Sequence, residues 1–521
     1  MTTNTNSTTN TEWTDLEAGV DRVPVEVAPP HYPGPVYPPR RHQYYGPVEP
    51  PTPFENDRFR PKKRINDPIF LILFIVQLVG MGVLSGIVLS EYIKQGGLGG
   101  GIGGDSGTNV TLNKHTAYLL LLVTLAALLL STGYLMLVRM YTRGIMHITL
   151  VLSILLNIGV CVYYWIEKYY SGAIIFMVIA LLSIFAYFGY RSRIHISALL
   201  LKTVMDIAKT WRSVYRIAFI SLILQAAYSV LYTFTAVAIY EKWTPGNPSC
   251  STGTSCSSGK VAGLIVYATF SYLWTSQVIS NVVLATLAGG PFGVWAFFGI
   301  THNGMRLRHP TRDAFLRAST CSLGSIAFGS LIVTLMELVR LPLNAVRNNA
   351  NADGNPAEAC LACCAEFIVG CIESALQYFN RYAYIEIALY GKPYLEAAQD
   401  TWRLFRDRGV DALANDSLVG MTLTWGAYSI GLLCSLFAYL YLRCTHPAYN
   451  AGGQYTAPVM AFAFFIGAMC TLTPSSAIEA GVSTIFLKLA EDPRNMGWRA
   501  PMLERKLKED YPEVMKDVPR T

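Results

Sequence analysis

The chain has 521 residues, of which 52% are hydrophobic and only 14% charged. A soluble domain carries roughly a quarter charged residues, so this composition excludes an ordinary water-soluble globule and makes a bilayer the natural solvent. The 41 Lys and Arg against 34 Asp and Glu leave a net charge of +7, which in such a chain reflects basic cytoplasmic loops. No interleaving of basic and aromatic residues marks a nucleic-acid surface.

Residues 1–66 are rich in Pro, Thr, Asn and Tyr and poor in branched aliphatics, and are read as a disordered tail. Its polar start, Met1-Thr2-Thr3-Asn4, precedes no apolar h-region, so no cleaved signal peptide is expected. Pro29, Pro30 and Tyr32 form a PPxY pattern. It is either a docking site for a WW-domain partner or a chance match in a Pro-rich tail.

A membrane domain is expected over 67–492. The basic residues Arg58, Arg60, Lys62, Lys63 and Arg64 stand just before the first apolar run, Pro68 to Ser90, which places the N-terminus in the cytoplasm. A Gly-rich external loop follows. It carries the sequon Asn109-Val110-Thr111, an expected glycosylation site at Asn109; the sequon at Asn415 falls on the inside, where it would be inert. Further spans are expected at about 116–138, 145–165, 172–190 and 217–240. Between the last two, 195–213 has apolar positions at helical spacing and suits an amphipathic helix on the cytoplasmic surface. The next loop, external by counting spans, carries Cys250 and Cys256. In an oxidising compartment these would pair, with two free thiols the alternative. The other nine of the eleven cysteines do not form a disulfide scaffold.

Spans are expected next at about 261–288, interrupted after its end by Gly289-Gly290-Pro291, and at 320–345 and 366–390. Arg340, Pro342 and Arg347 fit poorly with an external end there. A basic amphipathic segment over 397–408 is read as internal. Spans at 417–442 and 457–489 complete an all-α polytopic fold of about ten transmembrane helices with both termini cytoplasmic; 493–521 is a charged cytoplasmic tail.

No Walker A loop, H-E-x-x-H or G-x-S-x-G occurs, so the expectation is a protein that is not an enzyme, uses no cofactor and is not an ATP-driven pump. Cys360-x-x-Cys363-Cys364 has no second ligand pair beside it, so no metal site is expected; lipidation or packing accounts for it better. Polar residues inside spans are costly in hydrocarbon and face a bundle interior or a cavity. Glu366, Glu373, Gln377 and Arg381 recur on one helical face, as an ion-pair lock or a polar pathway. Trp274, Gln277 and Asn281 share a face, as do Gln225, Tyr228 and Tyr232. Rings and amides suit an organic cation; packing is the bland alternative. Glu479, between Ser476 and Ser483, sits in a small-residue segment that lets helices close around it.

Several stretches resemble the choline transporter-like family, particularly its fungal, pH-nine-sensitive branch. They are Pro61 to Asp67, Trp274-Thr275 with Val278-Ile279 and Asn281, Ser322 to Ile332, Tyr378 to Tyr384, and Glu479 to Pro493. The resemblance implies ten helices, cytoplasmic ends, a plasma-membrane location and transport of a small solute, with choline or ethanolamine implied for animal members. The external loop after the first span, large in animal members, is short here. On the matching positions, Trp274 is expected as a cation-facing ring, Asn281 as an orienting amide and Glu479 as a buried counter-charge. Tyr228, Tyr232, Gln277 and Glu373 complete the expected substrate site. The expected partners are the bilayer and the solute. The competing class is a non-transporting membrane organiser acting through the Pro-rich tail; moving a choline headgroup between leaflets would use the same cation site.

Overall fold

The computed structural model describes residues 64–94, 114–166, 170–191, 194–243, 257–298, 309–352, 356–408, 411–445 and 456–491, with two isolated positions near the C-terminus. Every described element is a helix. In chain order these are α1 (Pro68–Lys94), α2 (Lys114–Met140), α3 (Thr142–Ile166), α4 (Tyr170–Arg191), α5 (Ile194–Thr210), α6 (Ser213–Trp243), α7 (Ser258–Leu287), α8 (Gly293–Phe298), α9 (Pro310–Leu316), α10 (Leu323–Ala352), α11 (Pro356–Tyr390), α12 (Tyr394–Arg408), α13 (Asp411–Thr445) and α14 (Thr456–Glu491). Judged on the described residues, nine stretches are long and apolar enough to cross a bilayer: α1, α2, α3, α6, α7 running on into α8, α10, α11, α13 and α14. The 22-residue α4 occupies the place of the remaining expected span. The chain is a multi-pass, all-α membrane protein.

The outer surface matches that solvent. Phe185 is 74% exposed, and Ile69, Val79, Leu129 and Ile220 are exposed as well, a surface that water would not tolerate. Inside, α14 buries Ala463, Gly467, Thr471, Ser475, Ala477, Ala480, Gly481 and Ser483. Small residues let neighbouring backbones approach closely where no hydrophobic drive exists between helices. Sequence neighbours pair: α3 with α4, α6 with α7, α10 with α11, and α13 with α14.

Three features depart from the sequence-based outline. First, α5 does not lay its apolar face on lipid. Ile194, Leu200, Leu201, Val204 and Ile207 are buried within the main core, alongside Leu418, Val419 and Leu423 of α13 and Ile478, Val482 and Ile485 of α14. The helical spacing was the right signal, but protein, not bilayer, covers that face. Second, α10 runs through Pro342 to Ala352 and α11 begins at Pro356. The awkward external arginines are neutralised there: Arg340 pairs with Glu373 at 2.9 Å and Arg347 with Glu366 at 2.5 Å. Third, α7 is broken by a wide turn over Ala288–Phe292, in which Gly290 leaves helical geometry (φ −109°, ψ −111°) and Pro291 has no N–H to give. A second wide turn, Arg317–Cys321, links α9 to α10, and Arg317 Nη2 donates to Gly289 O at 3.0 Å.

A latch joins the start of α1 to the same end of the bundle. Asn66 Nδ2 donates to Gly391 O at 2.8 Å, and Asp67 Oδ2 accepts from Ser325 Oγ (2.6 Å) and from the Tyr394 backbone N–H (2.9 Å). Gly324 lies against it; a Cβ there would collide with the Asn66 and Asp67 carbonyls. The Asn66-Asp67 dipeptide thus ties α1, α10 and the α11–α12 turn together.

Candidate functional site

A polar cavity of about 210 Å³ lies between α7, α10, α11 and α14. Gln277 and Asn281, four residues apart, share one face of α7. Gln377, Arg381 and Tyr384 share one face of α11, and Glu479 comes from α14. Glu479 stands 12 residues before the end of α14 at Glu491, ~18 Å at 1.5 Å per residue. In a hydrocarbon core of about 30 Å, that depth is near the middle.

The side chains are held from several helices. Arg381 pairs with Glu479. Glu479 fits because α13 presents Gly420: a Cβ there would stand 2.6 Å from Glu479 Oε1. Asn281 Nδ2 donates to Ser330 Oγ at 2.9 Å. Asn380 is occupied on both ends, donating to Gly329 O at 3.1 Å and accepting from Tyr394 O–H at 2.6 Å. Burial pushes the Tyr394 phenol up to about 12, so this donor keeps its proton. Gln277 Nε2 donates to Glu337 Oε1 at 3.2 Å. Because a carboxylate can only accept, this bond fixes the amide and leaves Gln277 Oε1 as an unused acceptor. Asn281 Oδ1 likewise accepts no bond among the described residues.

The charges do not cancel. Arg381 answers Glu479 and Arg340 answers Glu373. Gln377 Nε2 adds a 3.1 Å bond to Glu373 Oε1. Glu337 has no ion-pair partner among the described residues, and its Oε2 is buried without a hydrogen bond. Three carboxylates stand against two guanidinium groups here, an excess of one acidic group among the described residues. A half-buried carboxylate without an ion-pair partner is costly, and a monovalent cation with carbonyl oxygens around it would relieve it. Glu337 was not singled out from the sequence. The signal was available, because a lone carboxylate inside an apolar span is itself exceptional.

The expected site residues are divided among three places. Gln277, Asn281 and Glu479 line the cavity together. Glu373 lies beside it in the Arg340 pair. The aromatic residues are elsewhere. The Trp274 indole, 2% exposed, is wedged against Phe74 and Phe270, and its Nε1 donates to Ala327 O at 3.0 Å. Tyr228 and Tyr232 stack on Tyr272 at ring-centroid distances of 5.9 and 4.5 Å, and their hydroxyls bond α7 at Ser271, Thr275 and Thr269. This stack joins α6 to α7. Gln225 also bonds across that seam, its Nε2 donating to Ser280 Oγ at 2.7 Å. Asn109, Cys250, Cys256 and the Pro29, Pro30, Tyr32 motif lie outside the described residues.

Comparison with known proteins agrees with this architecture. The sequence profile of the family described as "Plasma-membrane choline transporter" matches residues 174–494, which include every residue lining the cavity. The chain is 54% identical over 468 residues to Protein PNS1 of Cryptococcus neoformans var. neoformans serotype D, covering 89% of this chain and 85% of that one. It is 40% identical to Protein PNS1 of Mycosarcoma maydis (91% and 89% covered) and 37% identical to that of Candida albicans (92% and 93% covered). Matches of this extent and identity leave one assignment: the chain is a membrane protein of transporter type and belongs to the choline transporter-like family, alongside the fungal PNS1 proteins.

Proposed function

We propose that the protein carries a small organic cation, choline or a close relative, across the plasma membrane, and that the cavity between α7, α10, α11 and α14 is its binding site. The observation that carries this reading is Glu337, a carboxylate with no ion-pair partner among the described residues, behind Gln277 at a cavity near mid-bilayer. In this role Gln277 Oε1 and Asn281 Oδ1 would face the cation, Glu337 would supply the compensating charge through Gln277, and the Arg381–Glu479 pair would fix α11 against α14. A cavity of about 210 Å³ suits a small solute rather than a lipid.

The wide turns at Ala288–Phe292 and Arg317–Cys321 lie along the route from the cavity towards the α7 C-terminus. Broken helices beside a central site recur in transporters, where they coordinate and gate. The basic flanks of α1, α2 and α5 support cytoplasmic termini, which puts this break on the inner side.

The test is uptake of labelled choline by liposomes containing the purified protein. Saturable uptake above protein-free liposomes, inhibited by other small quaternary amines and not by neutral or anionic analogues, is the expected result. Folded protein with no such uptake would remove choline as the solute. Deleting residues 1–57 separates the alternative reading: a transporter keeps its flux, whereas an organiser acting through the tail loses its function. A fluorescent fusion confined to internal membranes would contradict the plasma-membrane location.

A further inference from the structure

A second and larger cavity lies away from the polar site. It is a groove of about 540 Å³ between α2, α5, α6 and α14. Its body is apolar, with Leu128 and Leu135 of α2 facing Phe219 and Leu222 of α6. Its polar end is a cluster of three cations: Arg139 in the last turn of α2, Lys209 in the last turn of α5, and Arg212 just before α6. Arg139 is answered by Asp206 at 2.6 Å. Lys209 and Arg212 are exposed and have no ion-pair partner among the described residues. The groove therefore ends in a net charge of about +2.

Its length is also informative. From Arg212 to Leu222 is ten residues of helix, ~15 Å, about the hydrocarbon depth of one leaflet. Charge at one end, an apolar channel one leaflet long, and an opening along exposed Met136 and Phe219 match one kind of molecule.

We infer that this groove is a binding site for one anionic phospholipid of the cytoplasmic leaflet, its phosphate on Lys209 and Arg212 and one acyl chain between α2 and α6. The leaflet follows from the same orientation proposed above for the termini; the binding itself does not depend on the solute carried. Anionic lipids are concentrated on that side of a plasma membrane, and basic pockets between transmembrane helices take their headgroups.

The far wall of the groove gives the lipid a point of contact with the transport core. Pro474 of α14 lines it, next to Cys470 and Thr473. Pro474 has no N–H for the Cys470 carbonyl, and Ser131 Oγ of α2, itself on the groove wall, donates to that carbonyl instead at 3.1 Å. Glu479 follows five residues later on the same helix. An acyl chain in the groove thus packs beside Pro474, five residues before Glu479 on the same helix.

Native mass spectrometry of the purified full chain, incubated with equal amounts of phosphatidylserine and phosphatidylcholine, tests the inference. One phosphatidylserine should be retained in preference by about thirtyfold, the scale that two basic side chains supply. Lys209→Ala with Arg212→Ala should bring the preference near one without changing the thermal midpoint of lipid-free protein, since both side chains are exposed. Leu222→Trp, which fills the groove, should lower retention of both lipids while Lys209 and Arg212 remain. An unchanged preference in the double variant would overturn the site. So would displacement of phosphatidylserine by equimolar inorganic phosphate, because that would make the apolar groove irrelevant.

Discussion

Two regions of the membrane domain carry polar or aromatic side chains at helical spacing, and they serve different purposes. In the α6–α7 seam, Tyr228 and Tyr232 stack on Tyr272 and every hydroxyl has a partner. In the α7–α10–α11–α14 cavity, two amide oxygens accept no bond and one carboxylate has no ion-pair partner among the described residues. The seam is satisfied by itself; the cavity keeps acceptors to which the proposed cation would bind. Spacing on one helix could not separate them, because both show the same three-and-four periodicity. What separates them is the account of donors, acceptors and charges once facing helices are in place.

This contrast predicts a ranking of mutational effects. The largest is expected from Glu479→Gln, which leaves the Arg381 guanidinium without its counter-charge. Breaking a fully buried pair from one side costs about 3–5 kcal/mol; this one is partly buried, so the cost is smaller, and folded yield in size-exclusion chromatography should still fall clearly. Glu479→Gln combined with Arg381→Gln should recover much of that yield but not the flux. If the single variant is as stable as wild type, the pair is not a lock.

Gly420→Ala comes next. The new methyl must push the Glu479 carboxylate aside, at about 1–3 kcal/mol for overpacking. A lower thermal midpoint and roughly tenfold weaker transport are expected; an unchanged protein would mean that the carboxylate has room to move. Glu337→Gln should behave differently, because it removes charge without breaking an ion pair. The apparent KM for the cation should rise about 10–100-fold, the scale of a charged interaction worth about 1.5–3 kcal/mol, with little change in folded yield.

The smallest effect belongs to the seam. Tyr232→Phe removes one hydroxyl bonded to Thr269 and should cost about 1 kcal/mol of stability. Trp274→Phe, outside the seam, removes the bond to the Ala327 carbonyl and leaves a cavity in a buried site, at a cost of about 2 kcal/mol or more. Neither should move KM by more than about twofold; a large KM effect from either would restore the aromatic site.

Much of the fold was legible because ~20-residue apolar runs and basic flanks are strong, local signals. The interruption at Gly289-Gly290-Pro291 was visible as well, since glycine and proline act on their own backbone. Glu479 was legible as a lone carboxylate among small residues. The partners were not. Arg381 shares a face with Glu373 on α11, yet it reaches across to Glu479, while Glu373 is taken by Arg340 of α10. Those pairings depend on which helices adjoin, and no spacing along one helix contains that. Glu337 is exceptional as a carboxylate in an apolar span, but its lack of an ion-pair partner shows only once Arg340, three residues on, is seen to face Glu373. Trp274 illustrates the reverse case, an aromatic residue in a matching motif whose ring packs α1 and α10 against α7.

The most direct test of the central claim is the concentration dependence of labelled choline uptake in liposomes containing wild type, Glu337→Gln or Tyr232→Phe protein at matched folded amounts. The cavity account predicts an apparent KM raised at least about tenfold in Glu337→Gln and nearly unchanged in Tyr232→Phe. The reverse order, with Tyr232→Phe impaired and Glu337→Gln normal, would place the cation in the tyrosine seam and contradict it.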